Sequence, residues 1–371
     1  MSPDTRIVVS GAGGFVGKNL IVRLGEAGYT DVTGLGREDD ADFDRVVAGA
    51  DVVFHLAGAN RPADPAEFGR VNHALVERLV AAVAEGGRKP LVILSSSAKS
   101  GEPGPYGESK AAGEAALLEG ATSHGFTAIV YRLPNIFGKW ARPDYNSAVA
   151  TFCHNVARGL PIQVNDPAAP LTLLYVDDLI DQWLALLDEA PSVSGYREAP
   201  GAYKTTVGAV ADTIRGFAAD RDEALIDSVG VGLTRALYAT FVAALPTDSF
   251  AYPLVAHTDP RGSFSEMLKT RTSGQFSYFT AHPGVTRGGH YHHTKTEKFL
   301  IVAGEARFRF RHILTGETHE VFTSGKEPVV VETIPGWSHD VTNVGDTEMV
   351  SLLWANEIFD RARPDTIASK V

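Results

Sequence analysis

A single cysteine, Cys153, stands among 371 residues, so no intramolecular disulfide can form and nothing points to an oxidising compartment. Its expected role is that of a small buried hydrophobe. Basic residues are few as well: 34 Lys and Arg face 45 Asp and Glu, for a formal charge of -11. That balance repels a phosphate backbone or an anionic membrane surface, so no nucleic-acid or membrane partner is expected and a small-molecule substrate is. No apolar run approaches the roughly 20 residues that span a bilayer. No charged and apolar leader precedes the first apolar segment, so the expected location is cytoplasmic.

What is present is enough apolar material, 44% of the chain, to fill two cores, and the length exceeds the usual single domain. Through about residue 190, short apolar runs at 6–10, 51–56, 91–97 and 127–133 alternate with helical stretches at 18–27, 72–85 and 109–119. This is the βαβ rhythm of an α/β doubly wound, Rossmann-like parallel sheet. From about residue 250 the pattern becomes short strands (275–280, 297–302, 306–312, 349–354) separated by Gly, Pro, Asn and Asp, as in an all-β jelly roll. Stretches 205–219 and 225–244 read as helices. The domain boundary is placed near residue 245, giving domains 1–245 and 246–371.

Gly11, Gly13, Gly14 and Gly17, with Phe15 and Val16 between them, follow the first strand and open a helix. Missing side chains there let the backbone approach a pyrophosphate at a helix N-terminus. Leu56 and Ala57, at the end of a later strand, complete the expected cofactor contacts. Tyr106 and Lys110, four residues apart, share one helical face. A lysine ammonium there can hold the nicotinamide ribose and favour the phenolate, letting the phenol exchange a proton with a substrate oxygen. Ser96 and Ser97 end the preceding strand, and either can supply a hydroxyl to the same oxygen. Arg37, at the end of the second strand, can pair with the 2′-phosphate of NADP, so NADPH is the expected cofactor although Glu38 and Asp39 follow it.

In this order the residues resemble the extended short-chain dehydrogenase/reductase family, whose catalytic group is a Ser or Thr with Tyr-x-x-x-Lys. That resemblance implies that Arg132-Leu-Pro-Asn135 and Tyr175-Val-Asp177-Asp178 border a sugar-nucleotide pocket, with Asn135 and Arg132 as substrate contacts.

In the second half, His290 and His292 fall on one face of a strand, with Tyr291 and His293 on the other. Glu297 can return after a turn as a third ligand. The spacing of Gly284, His290, His292, Glu297 and Gly304 resembles the first cupin motif, and the segment from Pro335 to Asn343 resembles the second, with His339 as fourth ligand. Three imidazoles and a carboxylate suit Zn, Fe, Mn or Ni. Zinc is favoured because acidifying a carbon beside a carbonyl needs a Lewis acid and no redox change. The segment Asp259-Pro-Arg261-Gly-Ser-Phe264 also resembles part of the deoxysugar epimerases of the cupin class.

Together, the runs around Tyr106, Arg132, Val164-Asn-Asp166, Tyr175 and His290 are similar, along essentially the whole chain, to the CapF family of capsular polysaccharide enzymes. The resemblance implies a homodimeric, bifunctional enzyme on the route to UDP-N-acetyl-L-fucosamine. Its cupin domain would epimerise carbon 3 of a UDP-2-acetamido-2,6-dideoxy-4-hexulose, and its reductase domain would reduce the carbon 4 ketone with NADPH. Two alternatives are a sugar-nucleotide 4-epimerase or dehydratase that retains NAD, and a non-catalytic NADP-binding scaffold. Tyr106 with Lys110 argues against the scaffold.

Overall fold

A computed structural model describes residues 1–371. The chain divides into two compact units, Met1–Arg215 with Gly232–Pro246, and Gly216–Val231 with Thr247–Val371. Residues 216–231, assigned by sequence to the first domain, therefore group with the second.

In the first unit, β1 (Ile7–Ser10), β2 (Val32–Leu35), β3 (Val52–His55), β4 (Leu91–Ser97), β5 (Thr127–Leu133) and a last strand, Gly195–Arg197, form one parallel sheet. Its order is β2-β1-β3-β4-β5 followed by Gly195–Arg197. Alternation along each strand feeds two cores. Ile7, Val9, Val52, Phe54, Ile93 and Ile129 pack on one face with Trp183, while Val8, Val53, Val92, Leu94 and Val130 pack on the other with Leu79 and Leu117. Strands covered on both faces read as near-continuous apolar runs, as these do. The order reverses at β1, so its crevice at the carboxyl end of the sheet lies between β1 and β3. A small second sheet joins Asn135–Phe137, Pro170–Tyr175 and Tyr203–Thr206.

The second unit consists of two sheets. One carries Gly262–Thr270, Gly274–Ala281, Met349–Ala355 and Glu297–Ala303 at its centre; the other runs Thr318–Ser324, Glu305–His312, Trp337–Asn343, Thr286–Tyr291 and Ile367–Ala368. Their inward side chains, among them Phe279, Phe299, Ile301, Phe308, Phe310, Val341 and Met349, make one core. No helix is long and apolar enough to cross a membrane.

The helix expected over 225–244 starts only at Gly232. Leu225 and Ile226 pair in parallel with Lys269 and Thr270 instead, an addition secured by the Lys269 amide donating to the Ala224 carbonyl at 2.7 Å. The Gly-Val-Gly run at 230–232, with Gly232 at φ +62°, breaks the helical register there. Upstream, Thr206 closes a strand, so the helix expected from residue 205 starts at Val207 and runs to Asp222.

Candidate active site and metal centre

The glycine loop turns from β1 into helix α1 (Phe15–Glu26). Gly11 sits at φ +74°, and a Cβ on it would lie 2.7 Å from the Ala57 amide nitrogen; one on Gly17 would lie 2.4 Å from the Gly11 carbonyl oxygen. Only bare backbone fits both places, so the loop packs flat against the Leu56–Ala57 turn and leaves the α1 N-terminus open to an anion. Beneath it the Ser10 hydroxyl meets His55 Nδ1 at 2.8 Å and accepts the Ala57 amide at 3.4 Å. Burial, and then the Lys110 charge, bring His55 down to about 3, so it stays a neutral ring. Sequence reading missed this Ser10–His55 pair because its members are 45 residues apart.

Tyr106 and Lys110 both lie in the first two turns of helix Pro105–His124. The Tyr106 hydroxyl donates to Asn60 Oδ1 at 3.2 Å, and Lys110 Nζ donates to the Ser95 carbonyl at 3.4 Å. Lys110 is buried, and burial lowers its pKa to about 8. Asn72 grips the Ala59 backbone at both amide and carbonyl (2.9 and 3.1 Å) and donates to Ser109 at 3.1 Å, tying the β3 loop to the same helix.

The two candidate serines part company. Ser96 is buried and donates to Glu114, one helical turn beyond Lys110, whereas Ser97 is only partly buried and its Oγ accepts the Lys99 amide at 3.2 Å. Arg132 chelates Glu114 from β5 (2.6 and 3.0 Å) and stacks over Tyr196 at 4.6 Å. Burial alone would raise the Glu114 carboxyl, but its bonds to Arg132, Ser96 and Ser100 outweigh that and hold it below its ordinary value. Ser96, Glu114 and Arg132 thus form a closed ionic knot. Asn135 is exposed, with Nδ2 donating to the Thr172 carbonyl at 3.2 Å. Arg37 is 86% exposed and pairs with Glu67 at 3.1 Å.

In the second unit, His290, His292, Glu297 and His339 place one ligand atom each within 4.8 Å of one another. Both sheets contribute. His290 and His339 are partners across one ladder, where the register shifts between Gly288 and His290; Gly289 at φ +77° carries that bulge. Glu297 opens a strand of the facing sheet, its amide held by Thr333 Oγ1 at 2.9 Å. The ring Nδ1 atoms of His292 and His339 face the carbonyls of Asp365 (2.6 Å) and Trp337 (3.3 Å). With the protons there, both Nε2 lone pairs aim at Glu297 Oε2, at 3.3 and 3.5 Å, and His339 Nε2 has no hydrogen-bond partner. Converging buried acceptors of this kind fit a divalent cation. Burial, with His339 next, lowers His290 to about 4, so it too is a neutral donor of a lone pair. Burial would raise Glu297, but hydrogen bonds from His292 and His339, when their Nε2 atoms carry a proton, and the Lys295 ammonium hold it well below the usual carboxylate range. The carboxylate is therefore charged whether protons or a cation lie between it and the rings. His290, Glu297 and His339 open onto a cavity of about 180 Å³ walled by Phe264, Phe279, Phe299, Phe308 and Arg287.

Residues 7–197 match the NAD dependent epimerase/dehydratase family, and residues 257–367 match the polysaccharide biosynthesis C-terminal domain. Over 367 residues the chain is 48% identical to the UDP-2-acetamido-2,6-beta-L-arabino-hexul-4-ose reductase of Pseudomonas aeruginosa, covering 99% of each chain. Among solved structures it is similar to the capsular polysaccharide assembling protein CapF from Staphylococcus aureus, with a TM-score of 0.92 and 39% identity over 99% of this chain and 100% of that one. A CapF crystal structure with the inhibitor 3-isopropenyl-tropolone gives a TM-score of 0.87 at 36% identity, over 99% of this chain and 100% of that one.

Proposed function

Because this chain belongs to the CapF family along its whole length, we propose that it is a bifunctional enzyme acting on a UDP-linked 2-acetamido-2,6-dideoxy-4-hexulose. The second unit, read as a metal-binding cupin, epimerises carbon 3. The first, read as an NADPH-dependent short-chain reductase, reduces the carbon 4 ketone, and the enzyme works as a homodimer.

The observation that carries this reading is the presence of two separate constellations in one chain. One is the glycine loop with Tyr106 and Lys110; the other is the cluster of His290, His292, Glu297 and His339, whose ligand atoms lie within 4.8 Å of one another. A single functional group serves both, since a ketone acidifies its neighbouring carbon and is itself a hydride acceptor.

When bound, NADPH supplies the hydride and a divalent ion, zinc by preference, supplies Lewis acidity. The residues do the rest. Tyr106 delivers a proton to the ketone oxygen as carbon 4 is reduced, leaving Asn60 to do so. Lys110, charged below about pH 8, holds the ribose and steadies the developing phenolate. Ser97 donates to the same oxygen, while Ser96 stays with Glu114. Arg37 exchanges Glu67 for the 2′-phosphate.

The test is direct: a UDP-4-keto-6-deoxy-N-acetylhexosamine with NADPH should give a reduced product inverted at carbon 3, identified by mass and stereochemistry. No NADPH oxidation would refute the reductase assignment; reduction without inversion would refute the epimerase.

A further inference from the structure

The C-terminal segment closes over the histidine loop. Strand Ile367–Ala368 pairs antiparallel with Tyr291 and His290, and the Ser369 amide donates to the Gly289 carbonyl at 2.9 Å. Asp365, two residues before that strand, sits at φ +35°, a left-handed conformation unfavourable for a residue with a Cβ. Its carboxylate accepts the amides of His293 (3.0 Å), Thr294 (2.8 Å) and Lys295 (2.8 Å), and the Thr294 hydroxyl at 3.1 Å. Its backbone carbonyl meets His292 Nδ1 at 2.6 Å.

We infer that Asp365 is a positioning residue of the metal centre. The carboxylate fixes the turn 293–295 that carries the chain from His292 to Glu297. The carbonyl fixes the His292 tautomer, with the proton on Nδ1 and the Nε2 lone pair turned inward. A residue that served the turn alone would need neither the strained backbone nor the short bond to the ring, yet both belong to Asp365. Such outer partners set ligand basicity and orientation, and their loss weakens metal binding about 10–100-fold. The inference rests on the metal-binding reading of the four ligands.

The experiment follows zinc release from the full chain to a chromophoric chelator, together with the visible spectrum of the cobalt-substituted protein. Asp365→Gly removes the carboxylate while accepting the positive φ without strain. It should release zinc about 10–100-fold faster than wild type and alter the cobalt bands. Asp365→Asn tolerates the same backbone and keeps one acceptor oxygen, enough for the Thr294 and Lys295 amides that share Oδ2, but sets an NH2 against the His293 amide. Its release should therefore fall between glycine variant and wild type. Release from Asp365→Gly within about twofold of wild type, with an unchanged cobalt spectrum, would overturn the inference while leaving the metal site standing. If the glycine variant fails to fold, Asp365→Asn decides: a wild-type release rate overturns it. A wild-type protein that takes up no zinc would overturn the metal reading itself, and this inference with it.

Discussion

His290 and His339 are partners in an antiparallel ladder, with ring centroids 4.8 Å apart and nearly perpendicular rings. Both imidazoles face the same point as Glu297, which comes from the opposite sheet. Removing either one should therefore empty the site. Protein purified without added metal should carry about one equivalent of a divalent ion, falling sharply in His290→Ala and in His339→Ala. Elemental analysis measures this, and equal metal content in wild type and variants would contradict the ligand set.

Tyr106→Phe keeps the ring, including its 5.6 Å edge contact with Phe68, and loses only the hydroxyl. Reductase turnover should fall by about a hundredfold or more, the scale of one positioned acid, with NADPH affinity almost unchanged. Steady-state kinetics beside a cofactor titration checks both halves. Turnover equal to wild type would remove Tyr106 from the chemistry.

Ser96 and Ser97 should separate by phenotype. Ser96→Ala breaks a hydrogen bond to a buried carboxylate and should cost about 1.5–3 kcal/mol of stability with little change in turnover. Ser97→Ala should leave stability alone and slow reduction by about a hundredfold, as for loss of one donor to a developing oxyanion. Thermal unfolding and turnover measured on the pair settle the assignment; a reversed pattern would make Ser96 the donor.

The low pKa of Lys110, about 8, follows chiefly from burial. Its charge is lost as pH rises through that value, so kcat/KM for NADPH should decline on an alkaline limb near pH 8. Lys110→Arg, which stays charged, should lack that limb at whatever rate remains. Stability moves the other way. Between about 8 and the ordinary 10.5 the folded state binds fewer protons than the unfolded, so this residue's contribution to stability rises across that window. An identical limb in wild type and Lys110→Arg would assign it to another group.

Arg37 is paired with Glu67 and 86% exposed. If it takes a 2′-phosphate, Arg37→Ala should weaken NADPH binding by about 1.5–3 kcal/mol and barely affect NADH. Calorimetry with the two cofactors distinguishes this from general damage, which would weaken both alike.

Local patterns were legible in the sequence. The glycine loop, the Tyr106–Lys110 spacing and the alternation of His290 and His292 each sit within a few residues, and one helix turn or one strand pleat fixes their geometry. The parallel sheet and the later β-rich unit showed in the change of hydrophobic period. Among long-range partners only His339 was foreseen, through the resemblance of its segment to a known motif; the others did not show. Glu114 meets Arg132 and Ser96 across 18 residues each, and Asp365 reaches His292 across 73. The pairing of Leu225–Ile226 with Lys269–Thr270 is likewise a tertiary event that overrode an apolar stretch compatible with a helix.

Division of labour between the two constellations is tested most directly by solvent deuterium. The 4-keto sugar and NADPH are incubated in D2O with wild type and with Glu297→Gln, and deuterium at carbon 3 is read by mass and NMR. The predicted result is a reduced, inverted, deuterated product from wild type. Glu297→Gln should show slow deuterium incorporation but keep normal hydride transfer to a substrate already inverted at carbon 3. Deuterium entering at the wild-type rate in Glu297→Gln would contradict the assignment of epimerisation to the four-ligand site.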